Sequence, residues 1–332
     1  MLKNTKGFAV AESLLIVVII SILGGASYYV FNSKRSTENG YKIPSIKSPE
    51  KFKAFNIVAV GDVACDDNDY KKLDLSKSCK EKETADLAKS LNPDAILALG
   101  DLQYDNGALD KFNSHYDKSW GQLKNITYPT PGNHEYATEG ASGYYQYFAD
   151  SPYNQKIKQG YYSFDAGGWH IISLNSTCDK TNDCGPDSAQ IKWLEADLAQ
   201  NDTKCTLAYW HYPRFTSGKY FGDAKIKEYT QQFWEKLSVS KADIVLNGHD
   251  HIYEHFVPQN TGGENDKNGI REFLAGTGGR SLYDRKVTQD NTQFFDNQNF
   301  GVLNLSLNLS SYKWQFVNLE HNVLDSGSAN CN

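Results

Sequence analysis

Six short apolar runs, each stopped by a small or polar residue, limit this chain more than any other feature. They are FNIVAVGD (Phe55 to Asp62), AILALGD (Ala95 to Asp101), YPTPGNHE (Tyr128 to Glu135), WHIISLNS (Trp169 to Ser176), CTLAYWH (Cys205 to His211) and ADIVLNGHDH (Ala242 to His251). Continuous apolar runs of this length, bounded by Gly, Asp, Asn or His, read as strands buried on both faces. Between them EKETADLAKSL and SAQIKWLEADLAQ carry apolar residues at three- and four-residue spacing, which predicts helices, and Ser188 supplies a polar start for the second. The pattern is α/β, without internal repeats or low-complexity tracts.

The residues that stop these strands are Asp62, Asp101, Asn133, His211, His249 and His251. Open α/β sheets collect their ligand-binding groups at strand ends, so these side chains are expected to meet. An aspartate after glycine is by itself an ordinary turn residue. Two Gly-Asp ends, an Asn-His pair, a lone histidine after an aromatic strand and a Gly-His-Asp-His segment together supply oxygen and imidazole donors for divalent or trivalent metal ions.

In this order the blocks GDVA, GDLQYD, GNHE, AYWH and GHDH resemble the calcineurin-like metallophosphoesterases, and within them the purple acid phosphatases. Flanking text (PGNHEY, YYSFD, AYWHYPRF, NGHDHIYE, REFLAGTGG) extends the likeness over nearly all of residues 53–332. The resemblance implies a four-layer αββα sandwich with two mixed β-sheets. It also implies two metal ions, the first held by Asp62, Asp101, Tyr104 and His251, the second by Asp101 as a bridge with Asn133, His211 and His249. Many members carry a histidine two residues after the first aspartate. Here that position is Ala64, and Tyr104 would fill the gap. Asp62, Asp101 and a tyrosinate suit Fe(III), because a trivalent ion depresses a phenol far below its usual pKa of about 10. The neutral donors of the second set suit a divalent ion, Fe, Zn or Mn. The implied reaction is phosphoester hydrolysis, with His134 beside the substrate assisting the leaving group; bracing of the site is its alternative role.

The amino terminus is a separate feature. From Phe8 to Phe31 the only charged side chain is Glu12, enough length to cross a bilayer at roughly 20 residues per crossing. KGFAVAESLLIVVIISIL resembles the signal of type IV prepilins, which implies cleavage after Gly7, a new terminus at Phe8 and pairing of Glu12 with a neighbouring pilin-like subunit. An uncleaved signal anchor is the alternative. Residues 1–31 then form a prepilin-like transmembrane helix, 32–52 a polar linker broken by Gly40, Pro44 and Pro49, and 53–332 the catalytic domain.

The six cysteines lack metal-ligand spacing and suit disulfides, which would place the domain outside the cytoplasm, at the cell surface or on a pilus. Close spacing suggests Cys65 with Cys79 and Cys178 with Cys184, leaving Cys205 for Cys331; six reduced thiols are the alternative. With 34 basic against 40 acidic residues the net charge is -6, which gives no general field for nucleic acid and favours a small phosphate ester as substrate. His115, His170, His255 and His321 match no ligand position and read as structural. Arg214 and Lys219 are candidates to meet phosphate oxygens, with an ordinary solvated role as the alternative. The tyrosine-rich text SGYYQYFADSPY and GYYSFD reads as packing rather than a substrate platform. The expected activity is a dinuclear acid phosphatase acting on monoesters. The alternatives are a phosphodiesterase of the same superfamily and a non-catalytic pilus or surface protein that kept the fold.

Overall fold

The computed structural model describes residues 53–151 and 159–332. The prepilin-like segment with Gly7, Phe8 and Glu12, the membrane helix and the linker lie outside the described residues. Among the described residues no helix is long and apolar enough to cross a membrane.

Among the described residues thirteen strands form two mixed sheets. In the first, β1 (Phe55–Val60), β2 (Ala95–Ala98) and β3 (Thr127–Pro129) run parallel. Antiparallel β11 (Gly301–Asn308), β12 (Ser311–Asn318) and β13 (Val323–Asn330) extend it beyond β1. The second sheet is centred on parallel β5 (Trp169–Ser173), β6 (Cys205–Tyr209), β7 (Ile244–Asn247) and β9 (Arg271–Ala275). Antiparallel β4 (Tyr162–Ala166) flanks β5, and β8 (Tyr253–Phe256) with β10 (Thr292–Asp296) flanks β9.

The two-residue period of a strand divides the core. Ile171, Leu207, Tyr209, Ile244 and Leu246 pack with Ile57, Ala59, Leu303 and Leu305 of the first sheet. Their alternates Ile172, Ala208 and Val245 pack instead on Ile191 and Leu194 and on Phe233, Trp234 and Leu237. These belong to helices α1 (Ala189–Gln200) and α2 (Ala224–Val239), which cover the outer face of the second sheet. The α1 start is capped as read, Ser188 Oγ accepting the Ile191 N–H at 3.3 Å, and Asp223 caps α2 through Lys225 and Ile226. A further helix, Glu81–Ser90, buries Ala85, Leu87 and Ala88 in the first sheet's cluster. Strands buried on both faces account for the continuous apolar runs of the sequence.

Three disulfides join Cys65 to Cys79, Cys178 to Cys184 and Cys205 to Cys331. The last ties the residue after β13 to the first residue of β6, so it fastens one sheet to the other.

Candidate metal centre

Every polar residue singled out at a strand end lies at one rim of the sandwich. Asp62 follows β1, Asp101 follows β2, Asn133 and His134 follow β3, His211 follows β6, and His249 and His251 follow β7. The backbone at three of these is turned into the left-handed region: Asp62 at φ 60°, Asp101 at 49° and His249 at 68°. Non-glycine residues adopt this region rarely, at a cost on the order of 1–3 kcal/mol, and mostly where geometry at a site demands it. The neighbouring glycines are needed for close approach. A Cβ on Gly100, itself at φ 85°, would stand 2.7 Å from His211 Nδ1, and one on Gly132 would stand 2.2 Å from Asp101 Oδ1.

The side chains form two donor sets that share one oxygen. In the first, Tyr104 Oη donates to Asp62 Oδ1 at 2.9 Å and lies 3.2 Å from Asp101 Oδ2 and 3.0 Å from His251 Nε2. In the second, His211 Nε2 lies 3.2 Å from each of Asp101 Oδ2, Asn133 Oδ1 and His249 Nδ1. Asp101 Oδ2 is therefore the atom common to both. Apart from the half-buried Asn133, all of these residues are buried.

Neighbouring groups fix which ring nitrogens face inward. His211 Nδ1 donates to the Leu99 carbonyl at 2.9 Å, turning Nε2 to the site, and His251 Nδ1 meets Ser281 Oγ at 3.0 Å. Tyr104 is held by its own N–H on the Ala64 carbonyl at 2.8 Å and by Gln103 Nε2 on its carbonyl at 2.6 Å. The Arg280 guanidinium lies 5.1 Å over the Tyr104 ring and pairs with Asp69 at 2.6 Å.

Without a cation the cluster is electrostatically discordant. Burial and the carboxylates of Asp101 and Asp62 push the Tyr104 phenol well above its ordinary range. Burial opposes charge on His211, yet Asp101 pushes it up to about 9, while burial and His211 drive His249 down. Burial alone would raise Asp101, but His211 and His134 hold it below the usual carboxylate range. Buried acids and a phenol packed oxygen to oxygen are what a bound cation neutralises, so this donor set fits two metal ions sharing Asp101.

His134 stands apart from both sets. Its backbone N–H donates to Asp101 Oδ1 at 2.8 Å, its Nδ1 donates to the Asp105 carbonyl at 2.6 Å, and Nε2 stops 3.9 Å from Asp101 Oδ2. The ring, 28% exposed, is a partly open titratable group beside the donors. Despite burial, Asp101 and the Asp105 carbonyl raise its pKa.

Two functional residues escaped the sequence reading. Glu135, fully buried, accepts four backbone N–H groups, from Asp101, Leu102, Gln103 and Gly132, at 2.7–3.2 Å. Burial and Asp101 push its pKa up to about 7 although those N–H donors pull it down. Asp250, between the two histidines of GHDH, accepts from Thr216 Oγ1 at 2.7 Å and from the N–H groups of Lys219 and Tyr220. It thereby seats Tyr220, whose ring stacks on His249 at 3.9 Å. An acid inside each motif was the available signal. Arg214 is turned away from the centre, donating to the Lys227 carbonyl, whereas Lys219 stands 4.1 Å over the Tyr283 ring. Tyr283 in turn stacks on His251 at 4.0 Å.

The four remaining histidines are engaged elsewhere. His170 bridges Asp165 and Asp197 at 2.7 and 2.8 Å, His255 pairs with Asp325 at 2.8 Å, and His115 lies 3.4 Å from Asp67. His321 sits in the turn before β13.

The chain is similar to known proteins in sequence and in fold. Residues 55–253 match the sequence profile described as calcineurin-like phosphoesterase. Purple acid phosphatase 15 of Arabidopsis thaliana is 30% identical over 198 residues, 49% of this chain and 36% of the relative. Purple acid phosphatase 21 of the same plant is 30% identical over 203 residues, 56% of this chain and 44% of the relative. The chain thus spans less than half the length of these curated relatives. A purple acid phosphatase from yellow lupin (Lupinus luteus) seeds superposes with a TM-score of 0.69 at 18% identity, covering 85% of this chain and 55% of the lupin one. At that identity the likeness is one of fold.

Proposed function

Because the chain belongs to the calcineurin-like phosphoesterase family, we propose that it is a metal-dependent phosphoric ester hydrolase of the purple acid phosphatase kind, acting on monoesters. The observation that carries this reading is the shared Asp101 Oδ2, 3.2 Å from both Tyr104 Oη and His211 Nε2, with a complete donor set on either side. Asp62, Asp101, Tyr104 and His251 would hold Fe(III), and Asp101, Asn133, His211 and His249 a divalent Fe, Zn or Mn ion. When bound, such a pair supplies positive charge to a phosphate ester and acidity to water.

The chain's own residues supply the remainder. His134, with Nδ1 committed to the Asp105 carbonyl, has Nε2 free to hold a proton for the departing ester oxygen. Glu135 keeps the Asp101 and Asn133 loops at fixed separation through the N–H groups of Asp101 and Gly132. Tyr220 and Tyr283 cover the outward faces of His249 and His251 and limit water around the donors.

The test is turnover of nitrophenyl phosphate and bis-nitrophenyl phosphate by the metal-loaded chain, beside Asp101→Asn, with absorption spectra of parent and Tyr104→Phe. Monoester turnover abolished by Asp101→Asn, and a visible band lost in Tyr104→Phe, are expected. Preference for the diester would replace the monoesterase reading, and activity without the band would replace Fe(III) with another ion. A metal-loaded chain that turns over neither ester would return it to a surface protein that kept the fold.

The catalytic unit would work outside the cytoplasm, tethered through residues 8–31 and associated with pilin-like subunits through Glu12. Three disulfides support an oxidising compartment. Protease treatment of intact cells should release the activity, and mass spectrometry should find Phe8 as the amino terminus; an intact Met1 would leave a plain signal anchor.

A further inference from the structure

Beside the second donor set opens a cavity of about 450 Å³ whose lining includes both Asn133 and His249. Four tyrosines are prominent in its lining: Tyr136 after the GNHE turn, Tyr212 after His211, Tyr220 on His249, and Tyr229 on helix α2. A phosphate group at the donors would occupy one end, leaving space of the size that holds ring-bearing small molecules.

Three of the rings are held in place, and Tyr229 packs partly buried on the cluster of Phe233 and Trp234. Tyr136 Oη accepts from Asn175 Nδ2 at 2.8 Å, and the Tyr212 ring meets His249 edge-on at 4.5 Å. The loop bearing Tyr220 is clamped by Asp250, and by Glu254, which accepts the Ser217 N–H at 2.8 Å. Fixed aromatic faces bind planar groups with little ordering cost. Charge at the rim is balanced, since Lys180 lies 3.5 Å from Asp179, and Lys225 shares the rim with Asp223. That balance gives a second anionic group no advantage.

We infer that this tyrosine-lined slot receives the leaving group and selects phosphomonoesters whose leaving group is an uncharged planar ring, aryl or nucleoside, with Tyr229 as a specificity-determining residue. The inference rests on the hydrolase reading for its phosphate end. It assigns the slot through Tyr136, Tyr212, Tyr220 and Tyr229 and not through the SGYYQYF tyrosines, of which Tyr144 and Tyr147 are buried in the core.

The experiment measures kcat/KM of the metal-loaded full chain for phenyl phosphate, adenosine monophosphate and glycerol phosphate, in the parent, Tyr229→Ala and Tyr229→Phe. The ring esters should exceed glycerol phosphate by roughly tenfold or more, the range of one aromatic stacking contact. Tyr229→Ala should shrink that ratio through KM, and Tyr229→Phe should keep it. A ratio near one in the parent, or an unchanged ratio in Tyr229→Ala, overturns the inference. Calorimetry with phenylphosphonate against methylphosphonate separates the two readings. If no ester is hydrolysed, the hydrolase reading falls, yet tighter phenylphosphonate binding that Tyr229→Ala removes still upholds the slot, and equal binding removes it.

Discussion

The backbone N–H of Asp101 donates to Glu135 Oε2 across 2.9 Å, and through this carboxylate the loop after β2 is locked to the loop after β3. Both oxygens are used, Oε1 by Leu102 and Gln103 and Oε2 also by Gly132. Glu135→Gln would turn an amide NH2 toward at least one of these donors and leave it unsatisfied, a loss on the order of 1–3 kcal/mol. The Asp101 oxygen shared by the two donor sets would then shift. Groups that orient ligands in this way alter metal affinity by about 10- to 100-fold. Metal content after dialysis and the thermal midpoint should both fall. Full metal retention with an unchanged midpoint would show that the four N–H contacts do not position Asp101.

His134 gives the opposite expectation. Only its main chain touches Asp101 within hydrogen-bond distance, and its ring leans on the Asp105 carbonyl and on the Tyr104 ring at 4.2 Å. His134→Gln should therefore keep both metals while lowering kcat about 100-fold or more, the scale of a lost general acid. Metal stoichiometry measured beside kcat decides the matter, because metal loss would mean that the ring braces the site.

Legibility followed how directly burial is written in local pattern. Ile57 to Val60, Leu207 to Tyr209 and Ile244 to Leu246 are buried on both faces, so their continuous apolar text could be read as strands and the residues beyond them as a shared rim. The strand β13 carries VLDSGSAN, half exposed and without a continuous apolar run; it forms where β12 offers an edge to pair with. No local signal announces that. The strands β11 and β12 do alternate, and their outward residues interrupt the apolar runs that mark the other strands in the sequence. Within the centre, donors could be read from residue type and order. Glu135 and Asp250 act largely through backbone N–H groups of distant loops, contacts that exist only once the chain has folded. The slot likewise joins Tyr136, after β3, to Tyr212, Tyr220 and Tyr229, between β6 and β7.

His170 makes stability depend on pH away from the centre. Burial opposes its charge, but Asp197 and Asp165 on either side raise its pKa above the ordinary value. A histidine raised in the folded state binds its proton more tightly there than in the unfolded chain. Its stabilisation is complete below the unfolded value of about 6.5 and is lost as pH rises through the folded value. Urea midpoints between pH of about 6 and 8 should fall more steeply in the parent than in His170→Gln. Parallel curves would mean that the two aspartates do not retain the proton.

The disulfides should differ in weight because they close loops of different length. Cys178–Cys184 spans 6 residues and holds one short turn, whereas Cys205–Cys331 spans 126 and links the two sheets. By loop-closure entropy the first contributes about 2 kcal/mol and the second about 5 kcal/mol. The long closure also secures a weak edge. The strand β13 is half exposed, and beyond its pairing with β12 it is held in its middle by Asp325, which meets Tyr253 and His255, and at its end by Cys331 and by the Asn332 N–H on Asp243 Oδ1 at 2.6 Å. Asp243 takes the Thr206 N–H as well, so the chain end and the start of β6 meet on one carboxylate. Removing the sulfur link should therefore loosen β13 before the rest of the sheet. Cys205→Ser with Cys331→Ser should lower the unfolding free energy more than Cys178→Ser with Cys184→Ser. Hydrogen exchange should quicken first in residues 323–330. Equal losses for the two pairs would place the restraint on the end of the chain in Asp243 and the β12 ladder instead.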